Sequence, residues 1–198
     1  MKIKQFLTEH LKITDETFIN ELASVMTVKT FKSGEEVFSQ GRKITHMAFI
    51  LKGVFRGYYI DSKGKEITDC FQMVYGDPLM PMFSFDEEVL LTMEAIVDSE
   101  VLWIDVNDML ALLKKRDQSM SIYTYILQGT TKRNNEFKSK LLHKNSTERY
   151  KWFLENYPGL IDKVKHSQVA SLLGMTPVTL SRVRNSMRDT KSVADIKI

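Results

Sequence analysis

The polar side chains best suited to recognition chemistry lie near the carboxyl end of this 198-residue chain. An arginine guanidinium can donate two hydrogen bonds to O6 and N7 of guanine, and an asparagine amide can bond adenine in a similar way. Hydroxyls and further arginines suit phosphate oxygens, which hold a protein on DNA without reading its sequence. The residues available for such contacts are Thr176, Pro177, Val178, Thr179, Ser181, Arg182, Arg184, Asn185 and Arg188.

A helix-turn-helix over residues 166–187 is the element that we expect to position these side chains. Ala170 is small where two helices would touch, and Gly174 gives the turn a permissive backbone. Thr176 suits the N-cap of the second helix, and Pro177 suits its first position. The positions that such a motif buries are all apolar: Val169, Leu173, Met175, Leu180 and Val183.

Arg182 is the residue that we expect to read a base, because side chains early in the second helix reach base edges. A phosphate contact is the alternative for this arginine. Phosphate contacts are expected for Arg184, Arg188 and Thr176, and either role for Ser181 and Asn185.

The charge distribution favours the same end of the chain. Residues 132–198 hold 14 Lys and Arg against 6 Asp and Glu, a balance of +8, whereas residues 1–131 hold 14 against 19, a balance of −5. A basic segment attracts phosphate backbones through Coulomb forces and counterion release. Membrane surfaces and acidic proteins attract a basic segment too. Charge alone therefore does not identify the partner, and it is the helix-turn-helix that favours DNA.

Alternating apolar residues and glycines predict an all-β part that ends at about residue 105. The segments between the glycines have the length of hairpin strands in a β-sandwich or barrel, and a short amphipathic helix around residues 15–25 precedes them. The sequence DSKGK is typical of a hairpin tip. Two further strands are expected near residues 92–97 and 100–104. The expected corner residues are Gly34, Gly41, Gly53, Gly64 and Gly76.

From Val106 to residue 144 the pattern becomes helical, and its seven-residue repeat is typical of a dimerising helix. The alternative is that the same stripe packs on the chain's own β part, and both can hold for one helix. A break follows at KNSTER, with Ser146 or Thr147 as the next N-cap, so we divide the chain into 1–105, 106–144 and 145–198. The seam residues are Leu113, Met120, Tyr123, Leu127, Asn134, Phe137 and Leu141.

Several other kinds of site are disfavoured. Cys70 is alone, which excludes an intramolecular disulfide and a cysteine-ligated cluster, and the four histidines lack metal-ligand spacing.

No segment approaches the roughly 20 apolar residues of a membrane span, and no signal peptide is recognisable, so we expect a cytoplasmic protein without membrane partners. The carboxylates of Asp86, Glu87 and Glu88 form a charged run of the kind that is usually solvated surface.

The chain resembles the Crp/Fnr regulators over nearly its whole length. The motifs are FKSGEEVFSQG, FILKGVFRGYY, MEAIVDSEVLWID, ERYKWFLENYP and VASLLGMTPVTLSRVR. The resemblance implies an α+β protein with a jelly-roll-like, double-stranded β-roll of the cyclic-nucleotide-binding type, a long dimerisation helix and a C-terminal winged helix-turn-helix. It also implies a homodimer that binds a palindromic operator in double-stranded DNA, with RNA polymerase as a further candidate partner.

The chain departs from this family where cyclic nucleotides would bind. In nucleotide-binding members an arginine neutralises the cyclic phosphate, but here that arginine is absent and Glu94 stands beside its place. A phosphodiester there would meet a like charge, so we expect neither cyclic AMP nor cyclic GMP to bind, and we expect no cofactor. Arg56 or Arg42 is the alternative source of a cation. The residues at the corresponding positions are Gly76, Asp77, Met93 and Glu94.

A second departure lies in the reading helix. The family commonly has a glutamate where this chain has Val178, and valine can contact only a thymine methyl group. We therefore expect a different operator. The final segment, DTKSVADIKI, has room for about one strand, so we expect a short wing or one that is partly missing.

Two functions are consistent with these features, and a third is a remote alternative. The first is a homodimeric transcription regulator whose β-roll senses an unidentified small-molecule effector. The second is a ligand-independent regulator whose β-roll is only structural. The third, an enzyme on a β-barrel scaffold, lacks support because the sequence has no nucleophile elbow, metal motif or glycine-rich phosphate loop.

Overall fold

The computed structural model describes residues 2–79, 88–115 and 117–195, apart from the side chains at 113, 115, 117–120, 122, 123, 125 and 189–195. Asp86 and Glu87, and the side chains of Leu113, Met120 and Tyr123, therefore lie outside the described residues. The chain forms two compact units: residues 1–66 with 70–130, and residues 67–69 with 131–198.

The first unit begins with helices that cover one face of a sheet. These are α1 (Lys2–Gln5), a π-helical turn (Phe6–His10) and α2 (Glu16–Val25). Helix α2 is the expected amphipathic helix, and the carboxylate of its N-cap Asp15 accepts a hydrogen bond from the Phe18 N–H at 3.1 Å. Helix α1 and the π-helical turn were not predicted from the sequence. This segment is held by Phe6 and Leu7, which are completely buried.

The β part consists of two four-stranded sheets, as a β-roll requires. Its strands are β1 (Met26–Phe31), β2 (Glu36–Phe38), β3 (His46–Lys52), β4 (Phe55–Ile60), β5 (Glu66–Gln72), β6 (Pro78–Leu79), β7 (Thr92–Ala95) and β8 (Ser99–Asp105). The first sheet has the order β1-β8-β3-β6, and the second has the order β2-β7-β4-β5. The antiparallel pairs include β1 with β8, β8 with β3, and β7 with both β2 and β4. This architecture confirms the expected α+β class.

Two apolar clusters hold this unit together. One contains residues of both sheets, and the other joins the first sheet to the N-terminal helices. Along β8, Val101 belongs to the first cluster, whereas Leu102 and Ile104 belong to the second. Because both faces of β8 are covered, the strand is almost continuously apolar. Cys70 is half-buried on β5 and packs against the first cluster.

The hairpin between β4 and β5 confirms the predicted tip at DSKGK. Gly64 has a φ of +76°, a conformation that favours glycine. The Asp61 carboxylate accepts hydrogen bonds from the backbone N–H of Lys65 at 2.9 Å and of Lys63 at 2.8 Å. These bonds stabilise the ionised form and lower the pKa of Asp61 below its ordinary value.

The described remainder of the chain consists of helices joined by short turns. The elements are α3 (Val106–Lys115), α4 (Asp117–His143), α5 (Ser146–Asn156), a 3-10 turn (Leu160–Asp162), α6 (His166–Leu172) and α7 (Pro177–Asp195). The helical stretch expected over residues 106–144 is thus described as two helices, α3 and α4. The boundary between the two compact units lies inside α4, between Thr130 and Thr131. None of the described helices is long and apolar enough to cross a membrane.

The N-cap of α5 differs from the expected one by at least one residue. Asn145 is the cap: its Oδ1 accepts the Glu148 N–H at 3.0 Å, and Glu148 Oε2 accepts the Asn145 N–H at 2.9 Å. This reciprocal capping box needs an acidic or amide side chain three residues after the cap. Ser146 has Arg149 at that position, which cannot accept a hydrogen bond, so the predicted cap was wrong.

The short wing predicted after the reading helix is also corrected. Helix α7 continues to Asp195, and no strand follows it within the described part of the chain. The segment that was expected to form the strand contains no glycine or proline to end the helix. Residues 196–198 lie outside the described residues.

Candidate nucleic-acid interface

The second unit contains the predicted helix-turn-helix, formed by α6 and α7. Val169, Leu173, Leu180 and Val183 are buried as expected, Ala170 is buried where the helices meet, and Met175 is half-buried. These side chains form the apolar contact that fixes the angle between the two helices.

The turn between α6 and α7 has the geometry that its glycine predicts. Gly174 has a φ of +62°. Its N–H donates to the Ser171 carbonyl at 3.1 Å, and the Met175 N–H donates to the Ala170 carbonyl at 2.9 Å. This pair of bonds is a Schellman motif, which satisfies the last carbonyl groups of α6 and reverses the chain direction.

Helix α7 begins where the sequence predicts. Thr176 Oγ1 accepts a hydrogen bond from the Thr179 N–H at 3.1 Å, and the two hydroxyl oxygens lie 2.9 Å apart. Pro177 is the first helical residue. The N-cap and first-position predictions are therefore confirmed, and the Thr179 hydroxyl already has a partner inside the protein.

Arg149 is a positioning residue that sequence reasoning missed. Its Nη1 donates to the Leu173 carbonyl at 3.1 Å, and its Nε donates to the Lys144 carbonyl at 2.8 Å. The guanidinium therefore joins the end of α4 to the turn of the helix-turn-helix. The motif ERYKWF contained this arginine, but no spacing rule indicated that it would contact a turn so far along the chain.

One exposed stripe of α7 brings together the main candidates for DNA contact. Val178, Arg182 and Asn185 follow one another by four and three positions, so they lie on the same side of the helix. Ser181 and Arg188 are exposed beside them. Val178 is an apolar residue with 60% exposure, and it is the first residue of a stripe that is otherwise polar. The predicted reading residues thus share one accessible face.

Arg184 lies off this stripe, toward α6. Its Nη1 lies 2.9 Å from Nδ1 and 2.5 Å from Nε2 of His166, the first residue of α6. No carboxylate among the described side chains forms an ion pair with Arg182, Arg184 or Arg188.

The four residues predicted to line an effector pocket all lie in the first unit. Met93 is buried in the cluster between the sheets, whereas Glu94 is half-buried and bonded to Arg56. Successive residues of a strand face opposite sides, so the side chains of Met93 and Glu94 point to different faces of their sheet. Gly76 lies against the His10 ring, and the backbone of Asp77 accepts a hydrogen bond from the Ile50 N–H.

Arg56, the alternative cation for a cyclic phosphate, is already neutralised. Its Nη1 donates to Glu66 Oε2 at 2.7 Å and to Glu94 Oε1 at 3.0 Å, and its side chain is only 2% exposed. Its guanidinium lies 4.4 Å from the ring centre of Tyr58. The pKa of Tyr58 is raised, mainly because the side chain is partly buried and also because carboxylates lie nearby.

The predicted seam on α4 is only partly described. Leu127 and Leu141 are half-buried and Asn134 is exposed. Phe137 packs on Trp152 of α5, with ring centres 5.3 Å apart. Ile126, next to the seam, packs against the cluster that holds the N-terminal helices. The helix therefore makes contacts within its own chain, but the contact of the seam residue Phe137 is with α5 and not with the β part.

Comparisons with known proteins agree with this architecture. Residues 28–116 match the model of the family described as cyclic nucleotide-binding domain. The fold is similar to that of FixK2 from Bradyrhizobium japonicum, with a TM-score of 0.72 and 19% identity over 84% of this chain and 86% of that one. The fold is also similar to that of a protein from Eubacterium rectale, described as a transcriptional regulator of the Crp/Fnr family. The TM-score is 0.73, and the sequences are 16% identical over 90% of this chain and 85% of that one.

A third similar structure is the c-di-GMP-responsive global regulator CLP from Xanthomonas campestris, with a TM-score of 0.70 and 14% identity over 89% of this chain and 93% of that one. No curated protein matches the chain significantly by sequence. Identities this low show a shared fold and leave effector and target to be argued from the residues themselves.

Proposed function

Because residues 28–116 match the cyclic nucleotide-binding domain and the chain has the fold of solved Crp/Fnr regulators, we propose that it is a DNA-binding transcription regulator. The observation that carries the proposal is the exposed stripe of Val178, Arg182 and Asn185 on the second helix of a helix-turn-helix. A helix of this kind fits the major groove, where these side-chain types have partners on base edges.

Each residue of the interface has a role that follows from its position. Arg182 reads a guanine, Val178 contacts a thymine methyl group, and Asn185 bonds an adenine or a phosphate. The residues around the stripe, Thr176, Ser181, Arg184 and Arg188, bind the phosphate backbone. This backbone contribution makes the affinity strongly dependent on salt.

The regulator acts as a homodimer on a palindromic operator. The seven-residue repeat on α4 supports pairing of two copies, with Asn134 setting the register of the pair. Two reading helices must meet major grooves about 34 Å apart, which makes an inverted repeat the expected target. A regulator of this kind that activates transcription also contacts RNA polymerase.

The β-roll either senses an effector other than cyclic AMP or serves only as a structural platform. The second candidate is supported by the neutralised Arg56 and by Met93, which fills part of the interior with an apolar side chain. The c-di-GMP response described for CLP supports the first candidate, because it indicates that effectors differ among proteins with this fold.

Selection of bound fragments from a random DNA pool at about 150 mM salt tests the proposal. The wild-type chain should enrich an inverted repeat with one consensus half-site. Arg182→Ala should relax the preference at one base pair in each half-site, with a loss of about tenfold to a hundredfold in discrimination there. Arg188→Ala is the matched control: it should weaken binding to all sequences equally and reduce the salt dependence.

Two outcomes would contradict these assignments. Failure of the wild type to enrich any sequence would remove the proposed function. If Arg182→Ala selects the unchanged consensus with uniformly weaker binding, Arg182 is a phosphate contact and the base-reading role belongs to another residue.

Cyclic AMP and cyclic GMP are expected not to bind the β-roll. A phosphodiester would have to displace a carboxylate from Arg56 or approach Glu94 directly, and both cost free energy in a partly buried site. Isothermal titration calorimetry of the full chain with each nucleotide measures this, with c-di-GMP as a comparison ligand. Micromolar affinity for cyclic AMP or cyclic GMP would overturn the expectation.

A further inference from the structure

The junction between α4 and the reading head, which comprises α5, α6 and α7, is short and contains an arginine contact. Helix α4 ends at His143 and α5 begins at Ser146, so only two residues join them. Arg149 of α5 donates from Nε to the Lys144 carbonyl at 2.8 Å and from Nη1 to the Leu173 carbonyl at 3.1 Å. One side chain therefore connects the linker after α4 with the turn that precedes the reading helix.

The chemistry of these two hydrogen bonds makes the connection directional. Lys144 follows the carboxyl end of α4, and Leu173 is the C-cap of α6. Carbonyl groups at the carboxyl ends of helices lack helical partners and carry partial negative charge, so they attract a guanidinium. The guanidinium is planar and rigid, and each N–H must point nearly along its hydrogen bond. A rotation of α6 relative to the end of α4 therefore weakens at least one of the two bonds.

Two further contacts at this junction restrain such a rotation less. The capping box of Asn145 and Glu148 joins residues of one turn, so it fixes where α5 begins but not where α6 lies. The rings of Phe137 and Trp152 pack with their centres 5.3 Å apart, and the apolar attraction between them is non-directional. Arg149 is thus the contact that relates the end of α4 to the helix-turn-helix by direction as well as by distance.

We propose that Arg149 is a positioning residue that sets the spacing between the two half-sites of the operator. The inference rests on the proposed homodimer on DNA, in which α4 pairs with its copy and each reading head follows its own α4. The end of α4 and the reading head belong to the same compact unit. Because Arg149 holds the angle between them, the two copies of α7 lie at one separation and match one spacing. Arg149 acts through the orientation of α7 and contacts no base.

Operators with altered spacing measure how firmly this angle is held. One helical turn of DNA spans about 34 Å and roughly 10 base pairs, so one extra base pair moves a half-site by about 3.4 Å and turns it by about 35°. A reading head on a free linker can follow such a step, whereas a fixed one loses base contacts at one half-site. The wild type should therefore lose at least about tenfold in affinity when one base pair is added or removed.

Fluorescence anisotropy with the full chain tests the proposal, using operators that carry the selected half-sites at spacings up to two base pairs longer or shorter. Arg149→Gln removes the charge and the rigid fork, so it should bind neighbouring spacings nearly as well as the preferred one. Arg149→Lys keeps the charge but lacks the planar fork, so its spacing preference should be intermediate. Lys151→Gln removes an exposed charge from the same helix and is the matched control, with the wild-type preference expected.

Three results would overturn the proposal. The first is a wild type that binds neighbouring spacings as well as the selected one. The second is a wild-type spacing preference in both Arg149 variants. The third is a loss of affinity that is equal at every spacing in both variants, including a loss through unfolding seen by circular dichroism, because it would make Arg149 a merely stabilising residue. Absence of specific binding by the wild type at every spacing would instead refute the proposed function, so the two failures can be distinguished.

Discussion

Replacement of Arg56 by methionine should lower the free energy of unfolding of the first unit by about 3 kcal/mol. The arginine is 2% exposed, and it neutralises Glu94 on the adjacent strand, whose side chain is only 19% exposed. In the register of the second sheet, Glu94 lies between Arg56 and Glu36. Without the guanidinium, Glu94 would be a poorly solvated carboxylate next to another acid, and such a charge is costly.

Urea denaturation of the full chain, followed through the tryptophans, measures this effect, and two variants serve as controls. Glu66→Gln removes the exposed partner of Arg56, with 51% side-chain exposure, and should cost less than about 1 kcal/mol. Arg56→Met combined with Glu94→Leu removes both charges and should recover most of the loss. A stability for Arg56→Met within about 0.5 kcal/mol of the wild type would show that the ion pairs contribute nothing.

The helix-turn-helix could be predicted because its constraints are local. Gly174, Thr176 and Pro177 each meet a backbone requirement within a few residues, and the buried positions repeat with the helical period. The β-roll was predictable for a similar reason: the hairpin tip at Asp61 and Gly64 satisfies its own hydrogen bonds without help from distant residues. Short-range chemistry of this kind is encoded directly in the order of residues.

Features that depend on distant residues could not be predicted. The contacts of Arg56 with Glu94 and of Arg184 with His166 join residues 38 and 18 positions apart, and only the folded chain brings them together. Met93 is buried because its face of β7 points into the interior of the roll. The alternation of residues along the strand does not by itself show which of the two faces is the buried one. The wing prediction was wrong for a different reason. The segment after the reading helix contains no glycine or proline that would end the helix, so the local sequence does not distinguish a short strand from a longer helix.

Substitution of Val178 by glutamate should change the base preference of the regulator. Val178 is 60% exposed, and it lies one turn before Arg182 on the reading stripe. A valine can contact only a thymine methyl group, whereas a glutamate accepts a hydrogen bond from N4 of cytosine. In a pool selection Val178→Glu should therefore enrich cytosine at one position of each half-site, with a discrimination of about tenfold or more.

The same substitution adds a negative charge near the backbone, so nonspecific affinity should fall as well. Val178→Gln separates the two effects: it has the same length without the charge, and its amide should favour adenine. Three side chains with three different preferences at one shared position would identify the base pair that Val178 faces. If all three select the same consensus, residue 178 does not contact a base, and the specificity of this surface comes from Arg182 and from the shape of the DNA.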